Sequence, residues 1–128
     1  MKTQKTKYGT LLLLWLLLAA PSALAQKEMP PFIVVSYNVE NLFDTVDDPL
    51  TDDDAFTPGG DMHWTPDRYE KKLTDLARVI LSIPERELPA IIGLAEVENR
   101  KVVEDLARTR GLRRGDYEIV HEESEDPR

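Results

Sequence analysis

The chain has 128 residues, 16 of them basic and 24 acidic, for a formal net charge of −8, and it contains no cysteine. Disulfides and thiolate metal sites are therefore excluded, and any metal would fall to carboxylates, amides or the two histidines, donors that suit hard cations such as magnesium or calcium. The acidic balance argues against a non-specific nucleic-acid binder, which needs a basic patch; the densest basic stretch, Arg108, Arg110, Arg113 and Arg114, reads as solvated surface.

Residues 1–25 read as a cleavable secretory signal peptide. Lys2, Lys5 and Lys7 precede a fully apolar run from Leu11 to Ala20. Pro21 and Ser22 break that run, and Ala23-Leu24-Ala25 supplies the small residues that a signal peptidase requires. A spanning helix needs roughly 20 apolar residues, about twice the length of this run, and no cysteine follows it to carry a lipid, so no stable membrane anchor is expected. Removing the segment takes three of the 16 basic residues and none of the 24 acidic ones, which leaves 103 residues with a net charge of −11.

Residues 26–31, with Pro30 and Pro31, read as a linker, and the domain is expected over residues 32–128. Phe32 to Asn38 is rich in β-branched and aromatic residues and predicts a strand whose nearly continuous apolar character fits burial on both faces. Residues 44–63 hold seven aspartates among Pro49, Pro58, Gly59 and Gly60 and predict a long acidic loop, of a length that is usually functional or mobile. Within it, Asp52-Asp53-Asp54 lacks an EF-hand pattern and reads as solvated. His63 reads as a loop surface residue, and Trp64 as packing beneath the loop.

A helix then opens with Thr65 as N-cap and Pro66 at the first helical position. Tyr69, Leu73, Leu76, Ala77, Ile80 and Leu81 recur at helical spacing, while Arg68, Lys71, Lys72 and Asp75 fall on the opposite side; Pro84 ends the helix near Ile83. Ala90 to Ala95 predicts a second short buried strand. Asn99 is placed to cap a second helix through Val102, Val103, Leu106 and Ala107, with Gly111 to stop it. Glu98 reads as an acid favoured by that helix's dipole. Tyr117 to Val120 alternates and predicts a third strand, with His121 as an edge histidine after it.

The order strand–helix–strand–helix–strand predicts an α/β fold with parallel strands and right-handed crossovers. Both strand ends then share one edge of the sheet, where ligand sites of open α/β sheets gather. Asn38 and Glu40 follow the first strand there, and Glu96 and Glu98 the second.

These residues carry a family resemblance. Ser36-Tyr37-Asn38-Val39-Glu40-Asn41-Leu42 is similar to the opening motif of the endonuclease/exonuclease/phosphatase superfamily, and Gly93-Leu94-Ala95-Glu96-Val97-Glu98 resembles its second motif, an apolar strand ending in Glu. Phe56-Thr57-Pro58-Gly59, Trp64-Thr65 and the Arg68-Tyr69 and Lys72-Leu73 pairs resemble secreted bacterial members of that group.

The resemblance implies a metal-dependent phosphodiester hydrolase, in the first place a secreted nuclease, exported to the periplasm or beyond. It implies a magnesium cofactor, with manganese or calcium as alternatives, and nucleic acid or another phosphodiester as partner. Glu96 would be the main metal ligand, and Asn38 would lie against the metal and the scissile phosphate, so both are the expected catalytic residues. Glu40 matches a position where some relatives carry an acid near the metal. Asn41 reads as a plain loop residue.

The implied fold is a four-layer α/β/β/α sandwich of the deoxyribonuclease kind. In such proteins the general base and further phosphate contacts come from later segments that close in an Asp-His motif, and this sequence has no Asp-His pair. The chain is accordingly expected to be a truncated, N-terminal part of such a domain, without hydrolytic activity alone. Two other readings stay open: action on a phospholipid or small phosphodiester, and a non-catalytic exported domain that binds a cation or a partner.

Overall fold

A computed structural model of the chain describes residues 32–84 and 87–123. The segments read as signal peptide and linker, residues 1–31, lie outside the described residues. The first strand, β1, is Val34–Leu42 and the second, β2, is Ile91–Val97; they pair in parallel, in register from Val34 opposite Ile91 to Asn38 opposite Ala95. Pairing resumes at Leu42 opposite Val97, so β1 places two more residues than β2 in the last interval. The strand is thus longer than the apolar run alone predicts, because the chain rejoins the sheet after this bulge.

Between the strands runs helix α1, Pro66–Ser82, and after them helix α2, Arg100–Ala107. Both N-caps are as predicted: Thr65 Oγ1 accepts from the Arg68 N–H, and Asn99 Oδ1 from the Val102 N–H at 3.1 Å. Leu73, Leu76, Ala77 and Ile80 of α1 and Val102 and Leu106 of α2 are buried against Val39 and Leu42 of β1 and Leu112. Each buried Leu, Ile or Val contributes roughly 1.5–3 kcal/mol of apolar transfer, which makes this shared seam the main attachment of helices to sheet.

Three expectations are corrected. The strands alternate rather than being buried on both faces: Val35 and Val39 face the helices, while Val34 and Ile91 on the outer face are 58% and 50% exposed. Gly111 does not cap α2. The helix already ends at Arg108, and Gly111, with φ of −80°, instead opens a short 3-10 helix, Leu112–Gly115. Its lack of a side chain matters for packing, since a Cβ there would fall 2.1 Å from Leu81 Cδ1.

The third strand is absent among the described residues: 117–123 joins no ladder. Asp116, in left-handed conformation, turns the chain out of the 3-10 helix, and the Tyr117 hydroxyl ties it to the Pro89 carbonyl at 2.8 Å. An apolar gap of about 350 Å³, lined by Ile92, Leu94, Val103, Leu106 and Ile119 among others, separates this segment from close packing on the sheet. Alternation alone therefore does not make a strand here. No described helix is long and apolar enough to cross a membrane.

Candidate active site

The carboxyl ends of β1 and β2 carry three of the five non-glycine residues with positive φ among the described residues: Glu40 at 52°, Asn41 at 60° and Glu96 at 63°. A left-handed conformation costs an ordinary residue about 1–2 kcal/mol. Such conformations persist where the surroundings over-determine them, and they collect at functional sites. The bulge in β1 and the left-handed Glu96 in β2 thus place the cost of two irregular backbones at one edge of the sheet.

Their result is a direct contact. Asn38 Nδ2 donates to Glu96 Oε1 at 2.7 Å, and Asn38 Oδ1 accepts from the Glu40 backbone N–H at 2.8 Å. The second bond settles which end of the amide faces which neighbour, since a carbonyl oxygen cannot donate and a backbone N–H cannot accept. The structure therefore brings together all three residues singled out from the sequence. Asn41 is part of the bulge rather than a plain loop residue.

Lys72 joins them from α1. The helical pattern assigns it to the solvent side, but it is half-buried, and its Nζ donates to the Glu40 carbonyl at 2.6 Å and the Asn41 carbonyl at 2.9 Å. Burial lowers the pKa of its ammonium, against the Glu40 and Glu96 carboxylates, which hold it up. Its charge lies 5.8 Å from the centre of the Trp64 ring, and the Arg68 guanidinium 5.2 Å from it. The sequence signal was present only as a lysine one turn after Arg68; nothing in the helical spacing marks it as turned toward the strand ends.

The long acidic loop is a folded support. Phe43 and Phe56 stack with ring centres 4.2 Å apart, Phe56 meets Trp64 edge to face, and Trp64 Nε1 donates to the Phe43 carbonyl at 3.0 Å. Trp64 is buried, as predicted. Asp53 is not solvated: it is 2% exposed, and its carboxylate accepts from the Asp48 N–H. Glu98 does not serve the α2 dipole as expected but accepts from the Asp44 N–H at 2.7 Å. Burial, with the Asp44 and Asp53 carboxylates beside it, pushes the Glu98 carboxyl up to about 7. His63 is exposed, and His121 stands 3.1 Å from the Glu123 carboxylate.

Among the described residues, no three His, Asp or Glu side chains gather as a cage for a cation. The donor set at the strand ends is sparser: the Glu96 carboxylate, which keeps an oxygen beyond the one bonded to Asn38, the Asn38 amide and the exposed Glu40 carboxylate. Few protein oxygens suit magnesium, which retains most of its water and takes one or two carboxylates.

A model of the endonuclease/exonuclease/phosphatase family matches residues 33–128, more than half of the chain. Neither a curated protein nor a solved structure matches it significantly.

Proposed function

The chain belongs to the endonuclease/exonuclease/phosphatase family, whose members are in general divalent-metal-dependent phosphodiester hydrolases, and from that premise we propose that Asn38, Glu40 and Glu96 form the metal and phosphate side of a phosphodiesterase site. The observation that carries this is the Asn38–Glu96 hydrogen bond, formed by two left-handed interruptions of otherwise regular strands. A purely structural sheet edge has no need of either interruption.

When bound, a divalent cation would supply positive charge for the phosphoryl oxygens. Glu96 would hold it through the oxygen left free by Asn38. Asn38 donates one amide hydrogen to Glu96 and keeps the other for a phosphate oxygen, without adding negative charge to the site. Glu40 adds an acid at the rim. We assign magnesium as the natural cation, since the few oxygen donors match its preference.

The products of hydrolysis require a base for the attacking water and an acid for the leaving oxygen. Among the described residues no histidine contacts the Asn38–Glu96 pair, so we read residues 32–123 as the metal-binding side, inactive without a partner group for water. The exposed apolar face bearing Val34 and Ile91 supports reading the β-pair as one sheet of a four-layer α/β/β/α sandwich. The signal-like residues 1–25 support export, with nucleic acid outside the cytoplasm as the first substrate class.

The test is magnesium-dependent hydrolysis of DNA, RNA, sphingomyelin and bis(4-nitrophenyl) phosphate by the full product of the gene. Turnover of a phosphodiester that Glu96→Gln abolishes supports the proposal. Turnover unaffected by Glu96→Gln or by chelation of divalent cations would refute it.

A further inference from the structure

The bulge in β1 creates a backbone problem that one side chain solves. Glu40 and Asn41 are consecutive left-handed residues in the interval where β1 and β2 fall out of register. A carbonyl removed from a ladder takes another partner, from solvent or from the protein. Lys72 Nζ is within 2.6 and 2.9 Å of the two carbonyls, and no flexible arm reaches both unless their peptide planes are already turned to the same side. The lysine is held in turn by α1 and by the Trp64 ring, which the Phe43 carbonyl fixes through Nε1.

From these contacts we propose that Lys72 is a positioning residue: its ammonium clamps the Glu40 and Asn41 carbonyls and so fixes the bulge that aims Asn38 at Glu96. The inference rests on the reading of Asn38 and Glu96 as the cation and phosphate side of the site. The route is covalent and short. Glu40 donates its N–H to Asn38 Oδ1 and accepts from Lys72 through its carbonyl, so the peptide groups on either side of one residue link the lysine to the amide. If the clamp is released, Glu40 and Asn41 can relax toward extended backbone, and the N–H that orients Asn38 moves with them.

Lys72 also stands near the Glu40 and Glu96 carboxylates, and that gives the test its direction. A lysine acting only as a neighbouring charge repels a cation, so its removal would tighten magnesium binding. A clamp predicts the reverse. Magnesium chloride is titrated into the full chain and its Lys72→Met, Lys72→Arg and Lys71→Met variants, with the Asn38 side-chain amide followed by NMR. In Lys72→Met we expect magnesium affinity to fall about tenfold or more, the range of lost support behind a ligand, and the Asn38 amide resonances to move. Lys72→Arg, which keeps the charge and the donors, restores most of both, and Lys71→Met, whose lysine pairs with Asp75 on the same helix, changes neither.

Unchanged or tighter binding in Lys72→Met, with the Asn38 resonances in place, would overturn the clamp while leaving the site intact. If magnesium moves nothing in the parent chain, the reading of the site fails instead, and the Asn38 resonances of Lys72→Met still decide whether the lysine positions the amide. Urea unfolding of each variant separates loss of the clamp from loss of the fold.

Discussion

Asn38 and Glu96, 58 positions apart in the sequence, meet at 2.7 Å across the end of the parallel pair, although the register sets Asn38 opposite Ala95 rather than Glu96. Successive side chains of a regular strand point to opposite faces, so Glu96 would turn toward the helices if β2 stayed regular. Its φ of 63° breaks the alternation, and Ala95 and Glu96 are exposed in succession. The contact is therefore a property of the irregular backbone and not of the strand pairing alone.

Glu96→Gln keeps the shape and can still accept from Asn38, but removes the charge. Because both side chains are exposed, we expect stability to change by no more than about 0.5 kcal/mol. Magnesium-dependent phosphodiester hydrolysis by the full gene product should fall about 10²–10³-fold, the order seen when a charge-stabilising group is lost. Asn38→Ala should cost about 10–100-fold, as loss of a ligand's hydrogen-bond partner does. Rates and urea midpoints measured side by side check both, and a Glu96→Gln enzyme that unfolds early would point to a structural role.

The left-handed backbone at Asn41 predicts which substitutions the bulge tolerates. Asparagine is among the few residues that adopt this conformation readily, whereas a β-branched side chain clashes there. Asn41→Val should destabilise the chain by about 1–2 kcal/mol, and Asn41→Gly should be nearly neutral. Equal unfolding midpoints for the two variants would show that the bulge is not fixed.

Much of this was legible in the sequence, for physical reasons that differ by element. Thr65-Pro66 and Asn99 announced the two helix starts because capping is local chemistry, and both helices follow. Asn38, Glu40 and Glu96 were legible as strand-end residues, because parallel strands joined by a helix bring their carboxyl ends together. Lys72 was not, since helical spacing gives a face and not the reach of a long side chain toward a bulge that the sequence does not show. Nor was the loop's order: Asp53 reads as a solvated acid and Glu98 as an acid of the second helix's dipole, whereas they accept from the Asp48 and Asp44 backbone N–H groups of the folded loop. Tyr117 to Val120 had the alternation of a strand, but a ladder needs a neighbour in register, which a local pattern cannot supply.

The aromatic support of the loop is open to a single-substitution test. Trp64 is buried, and its Nε1 is the donor to the Phe43 carbonyl. Trp64→Phe keeps an aromatic ring but leaves that carbonyl without its partner, at a cost of about 1–3 kcal/mol. Urea unfolding should register the loss. Hydrogen exchange should report it first in the loop, at the Trp64 N–H bonded to Thr57 and the Met62 N–H bonded to Ala55, before the α1 core. Uniform loosening of loop and core together would mean that Trp64 belongs to the main core instead.

Glu98 should make the stability of the chain depend on pH in the weakly acid range. Burial chiefly, then the Asp44 and Asp53 carboxylates, raise its carboxyl from 4.5 to about 7, against the Asp44 N–H, which favours the charged form. The folded chain therefore binds this proton more tightly than the unfolded chain. The stabilisation is complete below about pH 4.5 and is lost as pH climbs through about 7, so stability should decline over that interval. The carboxyl is only half-buried and water screens it, which limits the decline to about 1 kcal/mol. Glu98→Gln stays neutral at every pH and can still accept from the Asp44 N–H through its amide oxygen. Its urea midpoint should change less than that of the parent between pH 4.5 and 7.5, leaving the variant relatively more stable at the upper end. Parallel curves for the two proteins would mean that the Glu98 proton is not held by the fold and that the slope comes from other carboxylates.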